Sequence, residues 1–209
     1  SMDNLELLMA HQMHFAFIQG ALDFTPEQAR DLREVARLTP QYAHVIVPAS
    51  SPVRRFRDLA GKRIAFGPEK GGAAKLADAV LDFTRVNPAP QTIYMGSEEF
   101  HQAFQENRID AAFAVYALFA PAMEALFDSG DYRLVPMEHV DALVQWVPGV
   151  YASAIPAGSY GPGRHEPPTD GPPLTTLAVD TLLLTHRDVS DRWAESMLAG
   201  MGTVSLAKD

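Results

Sequence analysis

The chain contains no cysteine. Disulfides, zinc–thiolate sites and cysteine nucleophiles are therefore excluded. It has no run of about 18 apolar residues, so no segment reads as a membrane span. Basic runs are missing as well: 17 Lys and Arg stand against 26 Asp and Glu, a formal net charge of −9. With nothing to neutralise a phosphate backbone, nucleic acid is excluded as a partner. A local anion site is still permitted, because the walls of a cleft set its own field. Catalytic signatures are absent too, with no H-E-x-x-H and no G-x-S-x-G. Among seven histidines, His11 and His14 have i,i+3 spacing, but His14 falls where a strand begins, so ordinary helix-end histidines are the simpler reading. Ser159 lies in a glycine–proline loop. Glu98 and Glu99 read as helix-start charges, and Asp110 as a turn residue before a strand. No catalytic residue, metal or cofactor is expected.

What is present is a core-forming composition, 47% hydrophobic over 209 residues, enough for one large domain or two small lobes. The chain is organised around residues 63–81. Residues 63–66 read as a strand, 67–72 as a tight glycine loop, and 73–83 as a helix with Leu76, Ala79, Val80 and Phe83 on its apolar face. Such a loop aims free backbone N–H groups at one point, where the positive end of the helix dipole favours an anion. Lys70, Gly71, Gly72 and Ala73 are therefore candidate ligand-binding residues. Gly67 and Gly72 are spaced as in a phosphate-binding loop, but Ala73 and Ala74 stand where Lys and Ser/Thr are required. The alternative is a βα turn that uses glycine only for its geometry.

The rest of the chain reads as short elements. Residues 4–12 form a helix and 14–18 a strand ending at Gln19, where a polar side chain can emerge. Thr25 caps a helical turn over 26–31. Two strands, 35–38 and 44–47, flank a turn at Thr39-Pro40, and Phe56-Arg-Asp-Leu-Ala-Gly61 reads as a short helix closed by its glycine. Strand and helix then alternate to 136, which argues for a parallel sheet with helical crossovers. Phe100, Phe104, Phe113 and Phe119 read as core. Tyr116, Tyr151 and Tyr160 divide between packing and ligand contact, with Tyr116 favoured as a strand-end residue. Residues 155–173 are a glycine- and proline-rich loop, 175–179 and 182–185 two strand pieces, and 188–201 a helix with Trp193, Met197 and Leu198 inward.

Several segments occur in a familiar order: Asn4-Leu-Glu-Leu-Leu, Phe15-Ala-Phe-Ile-Gln19, Asp58-Leu-Ala-Gly-Lys-Arg-Ile-Ala65, Asn107-Arg-Ile-Asp-Ala-Ala-Phe113 and Ile155-Pro-Ala-Gly-Ser-Tyr160. In this the chain resembles the TAXI family of solute receptors, the substrate-binding subunits of a class of TRAP transporters. The resemblance implies an α/β, type II periplasmic-binding-protein-like fold, with two lobes and a ligand cleft between them. Residues 63–136 would form the second lobe, and 1–62 with 137–209 the first. It implies a periplasmic or extracytoplasmic protein that binds a small organic anion, carboxylate or amino-acid-like, and delivers it to TRAP-type membrane permease subunits. The expected ligand-binding set is Gln19, Lys70, Gly71, Gly72, Ala73, Tyr116 and Tyr151. An alternative from another class is a membrane-tethered ligand-sensing or scaffolding domain with no transport role. The family's loop usually runs Gly-x-x-Gly-Ser-Gly-Thr, and here Gly67-Pro-Glu-Lys-Gly-Gly-Ala73 lacks those hydroxyls. The family's opening strand, loop, helix and second strand are also missing, which leaves the first lobe incomplete. The gap is expected to be filled by a rearranged local segment or by a second copy in a homo-oligomer with exchanged segments.

Overall fold

A computed structural model describes residues 2–20, 24–161 and 172–206. In chain order the elements are α1 (Met2–Met9), β1 (Phe15–Gln19), α2 (Pro26–Asp31), β2 (Leu32–Pro48), β3 (Arg63–Phe66), α3 (Gly72–Thr84), β4 (Gln91–Tyr94), α4 (Phe100–Gln105), β5 (Ala111–Tyr116), α5 (Pro121–Phe127), β6 (Tyr132–Leu134), α6 (Val140–Trp146), β7 (Val150–Ile155), β8 (Leu174–His186) and α7 (Asp191–Leu206). Short 3₁₀ turns occupy Phe56–Leu59 and Ser97–Glu99. The strands form one mixed sheet in the order β1-β8-β2-β5-β3-β4, with β6 also pairing β2 and β7 also pairing β8. β3 runs parallel to β4 and to β5, as the strand–helix alternation predicts.

Side-chain alternation along the central strands explains why both faces are covered. Val45 and Val47 of β2, Ile64 and Phe66 of β3, and Phe113 and Val115 of β5 join Leu76 and Val80 of α3 and Leu143 of α6 in one core. The intervening Ile46, Ala65, Ala112 and Ala114 face the opposite way, onto Phe100 of α4 and Met123 and Phe127 of α5. A strand buried on both faces must be apolar throughout, and the run 111–115 is. A third core, at the far end of the sheet, joins Leu5 and Leu8 of α1 to Ala16 and Ile18 of β1 and to Leu182 and Leu184 of β8.

Local chemistry sets several boundaries. At α2, Thr25 Oγ1 accepts from the Gln28 N–H (3.2 Å) and the Thr25 N–H donates to Gln28 Oε1 (2.9 Å), with Pro26 at the first helical position. Arg63 meets Asp110 through two side-chain bonds, Nε to Oδ2 at 3.1 Å and Nη2 to Oδ1 at 2.9 Å, and its own N–H donates to Oδ2 at 2.8 Å. Nη2 also donates to Asn107 Oδ1 (3.0 Å). Asp110 is thus a clamp that ties the start of β3 to the turn before β5, and the Arg63 guanidinium holds its carboxyl below the usual range.

The structure corrects the sequence reading in four places. Residues 35–38 and 44–47 are not two strands about a turn. They belong to the single strand β2, whose ladder with β8 shifts register between Arg37 and Pro40. A bulge there accommodates proline, which has no N–H to offer a regular ladder. Likewise 175–179 and 182–185 are one strand, β8, which runs straight through Asp180 and Thr181. Trp193 and Leu198 of α7 face outward (57% and 38% exposed); among the described side chains of α7 only Ala194 is buried, with Met197 half-buried. Phe119 is 54% exposed, at a left-handed backbone position (φ 62°), while Phe100 and Phe113 are buried and Phe104 half-buried. Two elements, α6 and β7, fall in the stretch 137–154, to which the sequence reading assigns nothing. Of the glycine–proline loop, 162–171 lies outside the described residues.

The Ile155-Pro-Ala-Gly-Ser-Tyr160 segment has a structural task. Ser159 Oγ donates back to the Pro156 carbonyl (2.8 Å), and Gly158 takes φ 75°. This delivers the Tyr160 ring flat onto Phe127 (4.8 Å between centroids) and its hydroxyl to His44 Nε2 (2.9 Å). His44 is fully buried in β2, and its Nδ1 lies 2.7 Å from the Tyr42 carbonyl. A neutral ring satisfies both contacts: Nδ1–H donates to the carbonyl and Nε2 accepts from the Tyr160 hydroxyl. Burial pushes the His44 imidazole down to about 4 and the Tyr160 hydroxyl up to about 12. Between pH 6.5 and 4 the unfolded chain binds a proton at His44 that the folded chain refuses, so stability falls as pH falls through that window. The expected contribution is ~3 kcal/mol. Thermal unfolding at pH 6.5, 5.5 and 4.5 should show a loss of midpoint that is clearly smaller in His44→Gln. Equal slopes for the two proteins would show that His44 is not the titrating group.

Candidate functional site

A cavity of about 360 Å³ opens where the tip of β1, the middles of β2 and β8, the end of β5 and the loop from β3 into α3 converge. Each wall has a local cause. The β3–α3 loop turns tightly because the Gly71 N–H donates to the Pro68 carbonyl (2.6 Å). A Cβ on Gly71 would lie 2.8 Å from that carbonyl oxygen, so only glycine fits without displacing backbone. Gly71 is also the N-cap of α3 and has no side chain to cap it, so the first turn of the helix presents its N–H end to the cavity through Gly71, Gly72 and Ala73.

Opposite that turn stands Gln19, at the tip of β1. Its Nε2 donates to Gln41 Oε1 (2.6 Å), and Gln41 Nε2 in turn donates to Thr181 Oγ1 (2.8 Å). The other end of the Gln19 carboxamide rests on Gly72: a Cβ there would lie only 1.9 Å from Gln19 Oε1. A polar chain thus runs from β8 through β2 and β1 to the helix start. On the remaining side, Tyr116 Oη and Ser97 Oγ share a hydrogen bond of 2.6 Å. The floor is apolar, with Phe100 and Phe113 buried, and Phe17 (47% exposed) forms part of the rim. None of the described residues lining the cavity carries a charge.

Of the seven residues expected from the sequence, the structure gathers five: Gln19, Gly71, Gly72, Ala73 and Tyr116 all line the cavity. Lys70 and Tyr151 are not among its lining. Lys70 is exposed on the loop beside Glu69. The Tyr151 hydroxyl donates to Asp180 Oδ1 (2.8 Å), and Asp180 Oδ2 also meets Arg37 Nη1 (3.3 Å). Burial, and then the neighbouring Asp180 carboxylate, push the Tyr151 hydroxyl up to about 12. Sequence reasoning missed Gln41, Thr181 and Ser97. The signal was available for the first two, since each is a polar residue inside a strand otherwise rich in apolar side chains. Ser97 reads as a helix-start residue, which it also is.

Among solved structures the chain is similar to the substrate-binding protein of an amino acid ABC transporter (13% identity, TM-score 0.52), with 91% of this chain and 63% of that one covered. It is similar to an arginine third transport system periplasmic binding protein from Legionella pneumophila (14%, 0.51), covering 99% and 76%. A putative L-cystine ABC transporter protein from Listeria monocytogenes gives 12% and 0.56, with 96% and 67% covered. The chain thus spans 63% of the length of the first of these structures. At such identities the shared property is the fold, that of the type II periplasmic binding proteins. No curated protein matches the sequence. The NMT1-like family matches residues 1–198, almost the whole chain, and the protein belongs to that family.

Proposed function

We propose that this protein is an extracytoplasmic solute receptor that holds a small organic anion in the cavity between β1 and α3 and presents it to a TRAP-type membrane permease. The observation that carries the reading is the cavity itself, walled by an uncapped helix start on one side and by carboxamides and hydroxyls on the other. In the two-lobe division, Gln19, Gln41 and Thr181 come from the first lobe, and Gly71, Gly72, Ser97 and Tyr116 from the second. The cavity is then the cleft between lobes. Its groups are of the kind that hold a ligand; it has no paired acid and base, among the described residues, with which to transform one. A solute receptor has no catalytic step to perform.

An anion there needs no lysine. A helix start stabilises a negative charge by about 0.3–1 kcal/mol when exposed and by up to ~2 kcal/mol when partly buried. A hydroxyl donating to a carboxylate adds roughly 1.5–3 kcal/mol. Tyr116 or Ser97 can supply that bond, and the Phe100–Phe113 floor accepts an apolar body. Lys70, exposed on the loop outside the cavity's lining, contributes mainly to encounter, and salt screens it.

A thermal-shift screen of carboxylates and amino acids tests the reading. A binder at 100 times its dissociation constant should stabilise the protein by about 2.7 kcal/mol. If no carboxylate or amino acid shifts the midpoint, the anion-receptor reading fails. Given a binder, Gly72→Ala should push the Gln19 carboxamide off the helix start. Affinity should fall by tenfold or more while the unliganded midpoint barely moves, because only the far end of a flexible side chain is displaced. Lys70→Glu should change affinity by less than threefold at physiological salt. The reverse ranking of these two variants would place the ligand on the loop's rim and not in the cavity.

A further inference from the structure

Away from that cavity, the end of α1 meets the junction between β8 and α7. His11, just past α1, stands over His186, the last residue of β8, with ring centroids 4.1 Å apart. Asp188, two residues beyond the strand, bridges them: Oδ1 lies 2.8 Å from His186 Nδ1, and Oδ2 lies 3.6 Å from His11 Nδ1. One ligand atom from each of the three lies within 4.8 Å of the others. We infer that His11, His186 and Asp188 form a binding site for a divalent transition-metal ion, of the zinc, nickel or copper type, that staples α1 to the β8–α7 junction.

The donor set has the right chemistry. Imidazole nitrogens suit zinc, nickel and copper, and one carboxylate adds a charge that favours a cation over a neutral occupant. Bonds of about 2.0–2.2 Å to a tetrahedral ion require ligand atoms roughly 3.3 Å apart. The present spacings from Asp188, 2.8 Å to His186 Nδ1 and 3.6 Å to His11 Nδ1, lie close to that, and the exposed His11 and Asp188 side chains (57% and 61%) leave room for adjustment. His186 is the anchored member, with its side chain 18% exposed. Its Nδ1 faces the Asp188 carboxylate at 2.8 Å, and an ion placed between them takes the position of the proton they share, with Nδ1 as one ligand atom and a carboxylate oxygen as another.

The site has an entry path and a reporter. The three residues line a cavity of about 250 Å³ together with Met13, His14 and Trp193. The His14 ring stands edge-on to the Trp193 indole, 5.3 Å between centroids. His14 therefore has a packing partner of its own, and it is not in the three-residue cluster.

Calorimetric titration of chelator-treated, desalted protein with Zn²⁺ is the direct test. The expected result is a saturable isotherm with one ion per chain. His11→Ala and His186→Ala should each weaken it at least tenfold, Asp188→Asn likewise, and His14→Ala by less than threefold. In a Trp146→Phe background, Cu²⁺ should quench the remaining Trp193 emission with the same midpoint as its own calorimetric isotherm. Far-UV circular dichroism confirms that each variant is folded; the Asp188→Asn substitution preserves side-chain shape and decides the matter should an alanine variant fail to fold. Absence of a one-to-one isotherm overturns the proposal. So does unchanged affinity in the His11→Ala/His186→Ala double variant, or binding that depends on His14 instead.

Discussion

The 17 residues of β2 run against the 13 of β8, and every other strand attaches directly or in turn to that ladder. β1 and β7 hang on β8, β5 and β6 hang on β2, β3 hangs on β5 and β4 on β3. The ladder is therefore the one contact that both ends of the molecule share. At one end it carries the small core of α1 and β1. At the other it carries the two-sided core beneath α3, α4, α5 and α6. The cavity forms where the two ends meet, which is why its walls come from residues as distant in sequence as Gln19, Tyr116 and Thr181.

Burial on two faces leaves little room for polar groups, and two threonines of β8 placed there are matched. Thr176, fully buried, donates to the Ala43 carbonyl at 2.5 Å, and Thr185 donates to the His14 carbonyl at 2.6 Å. Each bond of this kind contributes only about 1 kcal/mol net, but leaving such a group unpaired costs about 1–3 kcal/mol. The two threonines thus restrict which register β8 can take, more than they add to stability. His44 with Tyr160 does the same for the glycine–proline segment, fixing where residues 155–160 cross the sheet.

Elements with local signatures were legible in the sequence. The Thr25 cap, the β3–glycine–α3 unit, the apolar run of β5 and the proline start of α5 all lie close to where their residues predict. The type II binding fold was legible too, through the order of segments. The failures have a common origin. Pro40 and the pair Asp180–Thr181 read as breaks between strands, yet the strands continue through them. The polar residues sit there because their side chains serve something other than the core: Thr181 belongs to the cavity's hydrogen-bonded chain, and Asp180 holds Tyr151 and Arg37. A site built into the middle of a strand looks, in sequence, like the end of one. The meeting of His11 with His186 and Asp188 had no local signal, because β1 must first pair with β8 to bring them together.

The chain from Gln19 through Gln41 to Thr181 has a further property. A carboxamide presents an acceptor on one side and donors on the other, and a hydroxyl can give or take. In this arrangement each link donates toward Thr181, and Gln19 offers its oxygen to the start of α3. If both amides turn over and the Thr181 hydroxyl donates instead, every link survives with its direction reversed. Gln19 then offers hydrogens where it had offered an oxygen. The wall can therefore exchange its polarity without breaking a bond or moving the backbone, and a solute that presents either a donor or an acceptor there finds a complementary partner.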